Sequence, residues 1–193
     1  MMISRYLLPL CLAFVLGACH QVDTPKPRAY FRIALPEKHY QPFDSLYPYR
    51  MEYPSYASIR PDTRETAEPY WADIVFPSFS ARVHLSYKPV SSQQELAEYM
   101  GDAYTFVHRH IPKATAIRES LVEKPESGVY GMVFNIRGRE AASPIQFFVT
   151  DSLNHFLRGA LYFNVRPNND SLAPVIGFIE EDIYHLLGTL EWD

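Results

Sequence analysis

The sequence predicts an α+β fold built mainly on antiparallel sheet. Three patterns carry that expectation. Four β-type runs between residues 114 and 166 are joined by short, turn-rich connectors. One amphipathic helical stretch precedes them, and a second follows. Short connectors of this kind suit hairpins, because a parallel crossover needs a dozen or more residues.

Along the chain, residues 30–35 and 49–53 read as short β-pieces, punctuated by Pro36, Pro42, Pro48 and Pro54. That density of proline forbids a helix and suits edge strands or a wrapping segment. Residues 61–69 form a polar loop, and residues 71–76 and 82–88 read as strands. In the second strand Val83, Leu85 and Tyr87 share one face, and His84, Ser86 and Lys88 the other. Ser92 and Glu95 have the spacing of a capping box, and Leu96, Tyr99, Met100, Ala103, Phe106 and Val107 recur at helical spacing. A helix is expected over residues 92–110, ended by Pro112. The four β-runs cover residues 114–123, 128–137, 144–150 and 155–166. Residues 174–191 then place Val175, Ile179, Ile183, Leu186, Leu187 and Leu190 on one helical stripe, with Glu180, Glu181, Tyr184 and His185 largely opposite. This order of elements resembles the topology of the PsbP and Mog1 group, which implies an α/β/α sandwich with a central antiparallel sheet.

The start of the chain reads as an export signal. Arg5 opens an apolar run from Tyr6 to Ala18, too short to span a bilayer, which closes on Leu16-Gly17-Ala18-Cys19. That is the layout of a bacterial lipoprotein signal, with Cys19 as the lipid-bearing first residue of the mature protein. An ordinary cleaved signal would leave Cys19 as a lone thiol in an oxidising compartment. The expected organisation is a signal over residues 1–18, a polar, proline-containing tether over residues 19–29, and a single domain over residues 30–193. Cys11 leaves with the signal, so the mature chain has no cysteine pair for an internal disulfide. Of 18 basic residues one, Arg5, lies in the signal, so 17 remain against 22 acidic ones, a formal charge of −5. This balance argues against nucleic acid and against a polybasic grip on anionic lipid.

Motifs for chemistry are sparse. His108 and His110 lie two apart in the expected helix and point in different directions, so they do not chelate one ion. His185 shares a helix face with Glu181 and Asp182, an arrangement ordinary for a surface or interface histidine. The stretch from Thr150 to His155 gathers an acid, a hydroxyl and an imidazole, yet its residue types are those that turn a chain between two strands. No Walker loop, G-X-G-X-X-G, H-E-X-X-H or G-X-S-X-G occurs. The expectation is a protein without catalytic residues, metal or cofactor.

The meander yields a geometric expectation instead. Successive hairpins alternate ends, so the loops at residues 138–143 and 167–171 belong at one end of the sheet and the turn at residues 150–155 at the other. Arg158 and Tyr162 share a face of the last strand, and His84 and Ser86 join them there as a candidate binding face, suited by composition to an interface.

The chain resembles the gliding motility-associated lipoprotein D family (GldD) of the Bacteroidota. The resemblance is carried by Pro27-Arg-Ala-Tyr-Phe-Arg-Ile33, His84-Leu-Ser-Tyr-Lys88, Ala141-Ala-Ser143, Thr150-Asp-Ser152, His155-Phe-Leu-Arg-Gly-Ala-Leu-Tyr-Phe163, Asp170-Ser171 and Pro174-Val-Ile176. It implies a lipid-anchored protein of the cell envelope, needed for gliding and for the associated type nine secretion. Its implied partners are other envelope lipoproteins and membrane proteins of that system. With only Asp23 acidic near Cys19, a periplasmic orientation is expected. The leading expectation is a non-catalytic scaffold or assembly factor; the alternatives are a small-molecule or glycan-binding lipoprotein and, third, an envelope hydrolase, which would need at least three of Asp151, Ser152, His155, His84 and Arg158 to converge in a cleft.

Overall fold

The computed structural model describes residues 33–44 and 46–193. Cys19, the tether and the first residues of the expected 30–35 β-piece lie outside them. Seven strands form one antiparallel sheet in the order β3-β4-β5-β9-β8-β7-β6. They are β3 (Ser58–Pro61), β4 (Ala72–Phe76), β5 (Ala81–Pro89), β6 (Ala116–Lys124), β7 (Val129–Arg137), β8 (Ile145–Thr150) and β9 (His155–Phe163). A second, three-stranded sheet joins β1 (Tyr40–Phe43), β2 (Tyr49–Pro54) and β10 (Glu191–Trp192). With helices α1 (Gln93–His108) and α2 (Asn169–Thr189) the fold is α+β, as the sequence predicts.

Strand alternation divides the large sheet into two faces. Val83, Leu85, Ile145, Phe147, Val149, Leu157 and Leu161 are buried with Val175, Ile179, Ile183, Leu186 and Leu187 of α2. Phe134, Phe148 and Phe156 point the other way and are buried with Leu96, Ala103 and Val107 of α1. The sheet is therefore the middle layer between two helices.

Local chemistry explains the helix boundaries. The Ser92 hydroxyl accepts the Glu95 N–H at 3.2 Å, and the Glu95 carboxylate accepts the Ser91 N–H at 2.8 Å. The first bond satisfies a donor that the first turn leaves free, and the second ties Glu95 back to the residue before the cap. Helix α2 starts five residues before Pro174, at Asn169, so the proline sits in its second turn and removes one backbone bond. The start is held from outside, since the Asn169 side-chain amide donates to the carbonyls of Gly138 (2.8 Å) and Ala141 (3.0 Å). Those bonds also place the 138–143 and 167–171 loops at one end of the sheet, as the meander requires.

Of the expected N-terminal pieces, the one at residues 49–53 forms β2, whereas the rest of the segment differs. Residues 33–39 are irregular, β1 and β3 follow at positions not read as strands, and β10 pairs with β2 across nearly the whole chain. Tyr49 and Met51 of β2 enter the core on the α2 side. The irregular segment is fastened to α2 through Asp182, which is 2 % exposed. The Lys38 ammonium donates to Asp182 at 2.7 Å, the Tyr40 hydroxyl at 3.0 Å and the Tyr56 hydroxyl at 2.8 Å. Burial and then the bond to Asp182 push the Tyr40 hydroxyl up to about 12 and raise that of Tyr56 well above its usual range. Both phenols are thus fixed as donors. Lys38 also lies 3.9 Å from the centre of the Phe178 ring.

Candidate functional site

A seven-stranded sheet is about 30 Å wide, whereas one helix covers a band of about 10 Å. On one face α2 and the small sheet share that task. On the other, α1 lies over β8 and β9 and leaves β3, β4 and β5 without a helix above them. At the edge of the helix the floor of the sheet and the flank of α1 enclose a half-open cleft of about 410 Å³.

All four residues of the expected face, His84, Ser86, Arg158 and Tyr162, line this cleft. The register explains why they meet: Ser86 is opposite Arg158, and Arg82 is opposite Tyr162. Arg82 and Lys88 continue the same face of β5 and line the cleft too. Trp71, just before β4, and Arg64 from the preceding loop close one side. Tyr99, Asp102, Ala103 and Phe106 form the opposite wall, at the spacing of one helix face.

The charges of the cleft fall into two groups. On the rim, Arg64 is paired with Asp62, whose carboxyl the Arg64 bonds hold down to about 2, and Lys88 is paired with Glu68 at 2.6 Å. His84 Nδ1 lies 2.8 Å from Asp73, and its Nε2 lies 3.1 Å from an Arg64 guanidinium nitrogen. A guanidinium only donates, so Nε2 accepts and the imidazole proton sits on Nδ1, donated to Asp73. On the floor, Arg158 and Arg82 have no carboxylate partner among the described residues. Arg158 is largely withdrawn from solvent, and that burial lowers its pKa, with the Tyr162 hydroxyl opposing the effect. It donates to the Gln146 side-chain oxygen at 2.6 Å, and its guanidinium carbon lies 4.5 Å from the Phe106 ring centre. Gln146 is itself 2 % exposed, and its amide nitrogen has no partner among the described residues.

The other singled-out residues lie elsewhere. Asp151 accepts the N–H groups of Leu153, Asn154 and His155 at 2.8 to 2.9 Å, and Ser152 has a positive φ of 67°. Burial alone would raise the Asp151 pKa, but these backbone bonds outweigh it and lower it. The stretch is a turn held by its own side chains, and His155 points to the opposite face, against Tyr87 and Trp192. Of the five residues whose convergence would mark a hydrolase, His84 and Arg158 reach the cleft, and Asp151, Ser152 and His155 do not. His185 bonds Glu52 at 2.7 Å and stacks on Tyr40 at 3.5 Å, an interface histidine whose partner comes from β2 rather than from its own helix. His108 ends α1 exposed, while His110 is half-buried, and burial followed by the charge of Arg158 lowers its pKa.

Sequence reasoning missed Arg64, Trp71, Arg82, Tyr99, Asp102 and Phe106 as parts of this site. Arg82 was findable from the alternation that gave His84 and Ser86. The α1 residues were not, since nothing local says which strands a helix edge will border.

No described helix is long and apolar enough to cross a membrane. No curated protein matches the chain. Among solved structures it is similar to cyanobacterial PsbP (CyanoP) from Synechocystis sp. PCC 6803, at 11% identity and a TM-score of 0.44, covering 82% of this chain and 95% of that one. The family model for the gliding motility lipoprotein GldD matches residues 20–192, nearly the whole sequence after Cys19. The chain therefore belongs to the GldD family of gliding motility lipoproteins.

Proposed function

We propose that this lipoprotein is a non-catalytic assembly factor of the cell envelope, serving gliding motility and the type nine secretion linked to it, and that the cleft between α1 and β5 is its recognition surface. Lipid on Cys19 would hold the domain at the membrane, facing the periplasm. The observation that carries the reading is the half-buried Arg158 on the cleft floor, a charged group held in place and left without a carboxylate partner among the described residues. A cation withdrawn from water is costly unless something compensates it. An external partner is the natural source of that compensation. The aromatic lining of the cleft favours a second reading, in which the same site takes a small molecule or glycan instead of a protein.

The test is a photo-crosslinking residue at Asp102, on the exposed rim, in cells carrying either native Cys19 or Cys19→Ala. Envelope proteins of the motility and secretion system are expected to crosslink with the native anchor and to be lost with Cys19→Ala, along with gliding. A released yet fully active Cys19→Ala protein would count heavily against the anchored scaffold.

A further inference from the structure

We infer that the cleft is a site for a singly charged carboxylate carried on an apolar or aromatic body, with Arg158 as the group that receives it. This deepens the reading above and rests on it.

The geometry around Arg158 is that of a preset receptor. One guanidinium nitrogen is engaged by the buried Gln146 oxygen, and the Phe106 ring lies against the group. Because a guanidinium cannot accept, Gln146 has to present its oxygen to Arg158, and its amide nitrogen is left unpartnered among the described residues as a result. That arrangement fixes the plane of the fork and, with the Tyr162 hydroxyl beside it, leaves the remaining N–H groups for a planar acceptor, the pattern a carboxylate meets with two parallel bonds.

Charge bookkeeping sets the valence. Arg64, Arg82, Lys88 and Arg158 supply four positive charges, and Asp62, Glu68, Asp73 and Asp102 supply four negative ones in and around the same cleft. The region as a whole is near neutral, so it does not attract a polyanion. Its excess is local, at Arg158 and Arg82 on the floor. The walls describe the rest of the ligand: Trp71, Tyr99, Phe106, Phe156 and Tyr162 offer ring surface, and 410 Å³ suits a body of one or two residues or one sugar ring.

The same chemistry can come from a peptide or from an acidic sugar, and the test separates them. The purified full-length mature protein is titrated calorimetrically with N-acetylphenylalanine, its uncharged amide, glucuronate and inorganic phosphate. A carboxylate probe is expected to bind in the millimolar range, and the amide at least about tenfold more weakly. Tighter binding of N-acetylphenylalanine assigns the site to a peptide end or side chain, and tighter binding of glucuronate assigns it to a glycan. Arg158→Gln should abolish either. Equal binding of the amide, strongest binding by phosphate, undiminished binding in Arg158→Gln, or no binding of either carboxylate at about 20 mM overturns the inference. The amide comparison uses unaltered protein, so it decides the matter even if Arg158→Gln does not fold. If crosslinking from Asp102 persists while carboxylates fail to bind, the ligand chemistry is wrong and the assembly reading stands. If carboxylates bind and no envelope protein crosslinks, the ligand chemistry stands and the assembly reading fails.

Discussion

Two of the charged side chains withdrawn from water among the described residues, Asp182 and Arg158, are treated in opposite ways. Asp182 on α2 is surrounded by Lys38, Tyr40 and Tyr56, three donors 126 to 144 residues away in sequence. Arg158 on β9 has the Gln146 oxygen as acceptor, the Tyr162 hydroxyl beside it and an aromatic ring against it, and no carboxylate among the described residues. A buried charge with a complete set of partners fastens structure. One with an incomplete set is a cost that the fold retains, and such costs collect where something is to be bound.

The contrast predicts unequal effects of removing each charge. Asp182→Ala should have the largest effect, a loss of about 3 kcal/mol, because it removes the shared acceptor of two half-buried phenols and the nearest carboxylate of Lys38, which keeps only the Phe178 carbonyl and the more distant Glu181. Urea unfolding of the purified protein measures this, and a loss below about 1 kcal/mol would erase the distinction. The double change Arg158→Met with Gln146→Leu should stay within about 1 kcal/mol of the unaltered protein, since replacing both partners by apolar groups of similar size can be nearly neutral. A destabilisation matching that of Asp182→Ala would instead make Arg158 a structural group.

The Asp62–Arg64 pair on the cleft rim, with its arginine exposed to solvent, gives the smallest effect. The folded Asp62 pKa of about 2 is below its unfolded value of about 3.9, so its contribution is present above pH 4 and is lost as pH falls towards 2. Asp151, also lowered, adds in the same direction. Stability followed by thermal melts should therefore change little through this pair between pH 7 and about 4.5 and decline below that. Asp62→Asn should flatten part of the decline.

How much of this was legible beforehand follows from where each signal resides. The meander from β6 to β9 and the cap of α1 were readable, because alternation and the Ser92–Glu95 spacing are local properties. The stripe of α2 was readable for the same reason, although Pro174 disguised its first turn: proline marks a helix start far more often than a second turn. The strands β1, β3 and β10 were not readable. They are two to four residues long, two of them contain a proline, and β10 becomes a strand only by pairing with β2 across the chain. The cleft divides likewise. Its floor of His84, Ser86, Arg158 and Tyr162 follows from strand periodicity, whereas the wall from α1 and the Arg64 loop depends on tertiary docking.

The fastening at Asp182 has a further consequence for how the chain folds. Lys38 waits for a partner 144 positions later, and Arg50 for Glu191, 141 positions later. A chain emerging from its N-terminus cannot complete β1 and β2 until residues 182–192 have followed. Contacts that distant are slow to close, and they fall last in order of synthesis. On any shorter chain β2, with Tyr49 and Met51, therefore lacks its contacts with α2 and β10. In a chain wired in this way the β2 side of the core closes only when the last helix arrives, an order that suits passage through a membrane before folding is complete.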